Sequence, residues 1–242
     1  MQAVNVKNLT FAYKNKKTVL HDISFSVEKG EVLVIAGLSG CGKTTLCRLL
    51  CGIIPHAIKG KIGGEICVID IDPAQVSLAQ ASLRAGLVFQ DADSQLICLT
   101  VEDELAFGPE NLCWTRRDIS WRVEVLLKEF GFSELRNLNP ALLSGGQKKL
   151  LTIAAVLAST PPLLILDEPL SSLDSEGRAL VCLAIEEQRR QGRTLIVVEH
   201  ELERLTFADK WLLLDNGTIA AFDTPENILG QKNLLKELSL LP

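Results

Sequence analysis

No apolar run in the 242 residues approaches the roughly 20 that a membrane-spanning helix needs. The opening MQAVNVKN has no basic segment followed by an apolar one, so no secretion signal is expected. Work at a membrane would therefore go through a partner that spans it. Positive charge is also scarce: 25 Lys and Arg against 30 Asp and Glu leave a formal charge of -5. A surface that attracts nucleic acid or anionic lipid as a whole is excluded, and no nucleic-acid partner is expected. The seven cysteines, at 41, 47, 51, 67, 98, 113 and 182, form no C-x-x-C pair, and the three histidines do not cluster. An odd count without a framework points to reduced thiols and the cytoplasm. Cys47 and Cys51 stand four apart on a predicted helix, but two ligands are not a coordination shell, so they read as small buried apolar residues. Internal repeats, low-complexity stretches and linkers are missing too.

What is present is a chain with 47% hydrophobic residues, able to bury a large core as one domain with a helical insert. Ile23, Phe25 and Val27 alternate with serines at the period of a half-buried strand, and EKGE at 28–31 makes the turn after it. VLVIA at 32–36 is apolar throughout, as expected of a strand covered on both faces. A helix from Lys43 to about Cys51 follows, closed by Gly52 and Pro55. Apolar runs at 87–89, 163–166 and 195–198, separated by helical patterns, predict an α/β core with a largely parallel sheet. Residues 101–140 read as helical throughout, with WRVEVLLKEFGF at 121–132 amphipathic. The domain is thus expected to have its core in 1–90 and 160–242, with a helical subdomain at about 91–159. WLLLD and TIAAF flank Asn216-Gly217, a two-residue hairpin signal.

GLSGCGKTT at 37–45 meets the pattern G-x-x-x-x-G-K-[ST] through Gly37, Gly42, Lys43 and Thr44. Glycines let the backbone curl so that successive N–H groups of the loop, with Ser39, Gly40, Cys41 and Thr45, face phosphate oxygens; the following helix adds its positive end. This is the chemistry of an ATP site, in which Lys43 reaches the β- and γ-phosphates and the Thr44 hydroxyl ligates Mg²⁺. LLILDEP at 163–169 is an apolar strand ending in two carboxylates. With a phosphate loop in the same chain, Asp167 is expected in the Mg²⁺ shell, and Glu168 is expected to polarise the attacking water.

LSGGQ at 143–147 makes the sequence resemble the ATP-binding-cassette (ABC) ATPases, and the resemblance runs over residues 4–229. Ser144, Gly145 and Gly146 offer a hydroxyl and backbone donors at the start of a helix, a second anion site, with Gln147 completing the motif. The resemblance implies an α/β P-loop fold with an N-terminal antiparallel β subdomain. It also implies a head-to-tail dimer in which this second site caps the γ-phosphate of a partner, either as a homodimer or as a heterodimer with a related ABC ATPase. Gln90, ending the strand GLVFQ, matches the glutamine that contacts Mg²⁺ and the attacking water. Asp174 in SSLD matches the loop that crosses the dimer interface, His200 the histidine that bonds the γ-phosphate, and Tyr13 the aromatic that stacks on adenine.

FQDADSQLICLTVEDELAFGPENL at 89–112 is similar to the energy-coupling-factor (ECF) group, whose ATPases sit at the cytoplasmic face of the membrane and power importers for vitamins or transition-metal ions. In that group residues 91–112 would receive the integral membrane T component. Two departures stand out: Ala92 where the group has proline, and an end at Pro242 where many members continue into a further segment. The alternative is a soluble ABC ATPase such as an iron-sulfur assembly factor, which shares every catalytic residue. DNA-repair relatives carry a long inserted coiled coil, for which this chain has no room.

Overall fold

A computed structural model describes residues 1–200 and 202–238. In it the chain forms two compact units. One comprises Met1–Leu87, Pro162–Glu168 and Gln188–Pro242; the other comprises Val88–Pro161 and Pro169–Glu187. The helical unit is wider than the expected 91–159, because residues 169–187 group with it.

In the first unit, β1 (Gln2–Tyr13) and β2 (Thr18–Glu28) form an antiparallel pair, and β2 shows the alternation read from Ile23, Phe25 and Val27, all buried. β3 (Val32–Ala36) is buried at every residue and runs into the glycine loop and then α1 (Lys43–Leu50). Gly52, in the left-handed conformation at φ 72°, ends that run and caps the short α2 (Ile53–His56). β4 (Gly60–Val68) returns to pair with β1, giving the sheet order β2-β1-β4. α3 (Leu78–Ser82), with a Ser77–Gln80 capping box, leads to β5 (Ala85–Val88).

In the second unit, α4 (Val101–Asn111) and α5 (Arg116–Glu129) are capped by Thr100 and Thr115, whose hydroxyls accept from the N–H groups of Asp103 and Asp118. Residues 101–140 are therefore not helical throughout, as the pattern had implied. Thr115 starts a new helix, and Gly131 at φ 73° stops it in a Schellman turn, with Phe132 N–H donating to Leu127 O at 2.7 Å. Beyond that only short 3₁₀ turns at Ser133–Leu135 and Pro140–Leu142 remain before α6 (Gly145–Ala158).

The remaining elements complete the central sheet: β6 (Leu163–Asp167), α7 (Ser175–Arg190), β7 (Thr194–Val198), β8 (Lys210–Asp215), β9 (Thr218–Asp223), then α8 (Pro225–Leu229) and α9 (Lys232–Glu237). Its order is β5-β6-β7-β3-β8-β9, parallel at the β6-β7, β7-β3 and β3-β8 pairings and antiparallel at β8-β9. Asn216 and Gly217, both at positive φ (45° and 78°), make the β8–β9 turn as the Asn-Gly signal predicted. This is the mixed α/β architecture expected, with an antiparallel sheet beside a mostly parallel one.

In α5 the amphipathic pattern is broken at two adjacent positions. Trp121 is exposed, whereas Arg122 is buried and donates to the last carbonyls of α6, Leu157 O at 2.6 Å and Ala158 O at 3.4 Å. A guanidinium there adds a charged donor to the carbonyls at the helix end, one of which, Leu157 O, also accepts from Thr160 N–H at 2.9 Å, and it complements the helix dipole. Replacing Arg122 by Met removes both charge-assisted bonds and should destabilise the protein by about 1–3 kcal/mol. Urea unfolding checks this, and an unchanged midpoint would mean that water replaces the guanidinium.

Candidate active site

The parallel strands set the geometry. Val198 of β7 is in register with Ile35 of β3 on one side and Asp167 of β6 on the other. Backbone bonds continue the alignment past the strand ends, Glu199 N–H to Ile35 O at 3.1 Å and Glu168 N–H to Val198 O at 3.0 Å. The phosphate loop, the carboxylate pair and His200 therefore leave the sheet at the same level, at the carboxyl ends of strands where α/β folds place their ligands.

The loop can form only with glycine at its first position. Gly37 has φ 151°, and a Cβ there would collide with the carbonyl oxygen of Leu214. Ser39 and Gly40 are exposed, whereas Cys41, Gly42, Lys43 and Thr45 are buried. Lys43 donates to Gly37 O at 2.7 Å and Leu38 O at 3.1 Å, so its ammonium lies inside the loop. Thr44 Oγ1 donates to Asp167 Oδ1 at 3.3 Å. Burial raises the Asp167 carboxyl above its ordinary range; the Thr44 bond lowers it again in part, and the neighbouring Glu168 charge raises it. Glu168 sits at φ 47°, the left-handed region that side-chain-bearing residues avoid. That turn aims its carboxylate at His200, with Oε1 2.9 Å from Nε2. The hydroxyl of Tyr13 shares a 2.8 Å hydrogen bond with that of Thr45, and its ring meets Phe11 edge-on at 4.8 Å. Tyr13 is thereby tied to the helix that follows the loop.

The other candidates lie in the second unit. Ser144 caps α6, its oxygen accepting from Gln147 N–H, while Gln147 Oε1 accepts from Ser144 N–H. The cap uses a lone pair of the hydroxyl and leaves its proton to donate. Gly145 and Gly146, in the first turn, have no intrahelical acceptor. Asp174 turns the chain into α7, accepting from Gly177 N–H at 2.7 Å, and a Cβ on Gly146 would stand 2.7 Å from the Gly177 Cα. Ser144, Gly145, Gly146, Gln147 and Asp174 line one cleft of about 480 Å³. Gln90 is exposed, two residues past the end of β5 rather than inside that strand, because the chain bends away after Val88.

Sequence reasoning missed three buried charges of this unit. Lys149 donates to the carbonyls of Phe89 and Gln90, Glu104 accepts from the N–H groups of Ile97 and Cys98, and Arg122 caps α6. The available signal was a charge in an apolar stripe: Lys149 shares the buried face of α6 with Gly146, Leu150, Ile153 and Leu157.

Compared with known proteins, residues 20–171 match the family model described as ABC transporter. A protein of Pyrococcus abyssi, provisionally named an ABC transporter ATP-binding protein, is 38% identical over 243 residues, covering 99% of this chain and 87% of the relative. Another so named, from Caldanaerobacter subterraneus, is 39% identical over 240 residues, 98% of this chain but 42% of the relative. A third, from Methanosarcina mazei, is 39% identical over 219 residues and covered to 38%. The chain thus spans about two fifths of the length of the last two relatives. Among solved structures, CbiO1 from Clostridium perfringens, described as part of the ABC transporter complex CbiONQ, has a TM-score of 0.85 at 29% identity, covering 99% of this chain and 95% of that one.

The raised Asp167 carboxyl has a testable sign. Its ionised form is disfavoured in the folded protein relative to the unfolded chain, so it costs stability above the unfolded value, and the cost fades as pH falls. Asp167→Asn should therefore melt at or above the parent's temperature at neutral pH without nucleotide, the gap closing on acidification. The same variant should lose most of the stabilisation that Mg²⁺ and ATP give the parent in thermal melts.

Proposed function

The chain belongs to the ABC transporter family as an ATP-binding domain, and from that membership we propose that it is the ATP-hydrolysing subunit of an ECF-type importer for a vitamin or a transition-metal ion. ATP binding and hydrolysis come with the family. The observation that carries the assignment of roles is the pairing of Glu168 with His200 at 2.9 Å, at a strand end level with the origin of the phosphate loop.

In this reading the N–H groups of residues 37–45 and Lys43 hold the phosphates, and Tyr13 receives the adenine. The donors fit Mg²⁺: a threonine hydroxyl and a buried carboxylate are hard oxygen ligands, already 3.3 Å apart, and Gln90 is the further ligand that the resemblance supplies. A bound Mg²⁺ would supply electrostatic screening of the phosphates that Lys43 and the loop N–H groups hold. Glu168 polarises the attacking water, and His200 bonds the γ-phosphate while steadying Glu168. Ser144, Gly145, Gly146 and Gln147 cap the γ-phosphate of a second subunit, identical or related, with Asp174 at the interface. ATP then closes the pair and hydrolysis reopens it.

For the ECF branch, support comes from the 89–112 sequence, from the likeness to CbiO1, and from exposed apolar side chains within that stretch. Ile97 is 64% and Leu99 76% exposed, with Phe107 half exposed nearby, a surface that asks for a protein partner. Asp93 is held by Lys148 at 2.7 Å, so a test through its charge would also disturb the fold's own bridge. Among the described residues no helix is long and apolar enough to cross a membrane. In the proposal the subunit docks on the cytoplasmic face through an integral T component.

Glu168→Gln should leave ATP affinity unchanged and lower kcat by roughly a hundredfold or more; an undiminished ATPase rate would remove Glu168 from its role. Leu99→Asp should abolish co-purification with an integral membrane protein from detergent extracts while preserving ATP binding. Recovery of a soluble scaffold instead would favour the iron-sulfur-type alternative.

A further inference from the structure

Two successive lysines at the start of α6 reach the same loop. Lys149 is 2% exposed, and its ammonium donates to Phe89 O at 3.1 Å and to Gln90 O at 2.6 Å. Lys148 pairs with Asp93 at 2.7 Å. Gln95 closes the loop on itself, its side-chain oxygen accepting from Phe89 N–H at 2.9 Å. The lysines sit four and five residues after the Ser144 cap, and Gly145, Lys148 and Lys149 line one cleft with Gln90, Asp91 and Asp93.

We infer that Lys149 is a positioning residue for Gln90, fixing the main chain at 89–90 onto the helix that Ser144 caps, so that the glutamine loop and the LSGGQ loop move as one body. The physical reason is the cost of a buried ammonium. It is tolerated only while its donors are satisfied, and parting the loop from α6 would remove two of its acceptors at once. Lys148 and Asp93 form a weaker outer strut, because the Asp93 side chain is 70% exposed and the pair is screened by water.

Recognition through carbonyl oxygens has a further effect. The clamp holds the backbone of Gln90 and makes no use of its side chain, and the residue is exposed. A displacement imposed on residues 91–112 therefore reaches Ser144 through one rigid connection. The inference rests on the proposed role of Gln90 only where activity is concerned; the shared motion stands apart from it.

The test uses the full chain. Native-state hydrogen exchange of the unmodified protein should show Phe89 N–H and the Gln147 and Lys148 N–H groups opening with the same denaturant dependence. A loop that opens far more readily than the first turn of α6 overturns the clamp, with no variant needed. In steady-state assays Lys149→Met should lower kcat by about tenfold with KM for ATP within about twofold, and Lys149→Arg, which still donates to both carbonyls, should stay within about threefold of the parent. In a Gln90→Ala background, Lys149→Met should cost less than about a further twofold, since it acts through a group already removed. Full additivity, or an unchanged kcat in Lys149→Met, overturns the positioning role. If Gln90→Ala alone leaves kcat intact, the assignment of Gln90 fails, and the exchange measurement still decides the clamp.

Discussion

Everything in the phosphate-binding half depends on one register, the parallel pairing of β3 and β6 against β7 at Val198. A β-strand fixes its neighbours to within a residue because a slip of one would turn every side chain to the opposite face. Here all three strands are buried on both faces, so the register is enforced by packing as well as by the ladder. The chemistry is arranged by the sheet and only executed by the loops. Gly37, Asp167, Glu168 and His200 come from stretches far apart in sequence and leave the sheet together.

That dependence explains what could be read in advance. A buried strand announces itself by an unbroken apolar run, a phosphate loop by glycines where the backbone must curl, and a hairpin by Asn-Gly. Each is a local demand, and local demands are written locally. The polar partnerships of the helical unit are different. Lys149 finds Gln90 O 59 residues away, and Arg122 finds Leu157 O 35 residues away. Both bind main-chain carbonyls, which every residue possesses, so the partner leaves no mark on the sequence. Only the lysine or arginine itself hints at the bond, by standing in a stripe that ought to be apolar.

Boundaries were less legible than elements. Gln90 lies past β5 because the strand ends where the loop is taken over by α6, not where its apolar residues run out. Residues 169–187 group with the helices although they follow a core strand directly. Their first turn meets that of α6 at Gly146 and Gly177, where Gly146 has no room for a side chain and Gly177 has little. A glycine in LSGGQ thus serves two needs, a free backbone donor and a close crossing of helices, and the sequence does not distinguish them.

The thiols carry one more consequence. Cys41, within the phosphate loop, and Cys47 and Cys51 behind it are buried, and burial raises all three above the ordinary thiol value. A thiol so placed is a poor nucleophile, whereas Cys67 and Cys113 lie at the surface. Alkylation therefore acts as a clock with two hands. The surface pair registers the reagent at once, and Cys41 registers it only as often as the loop around the phosphates comes apart.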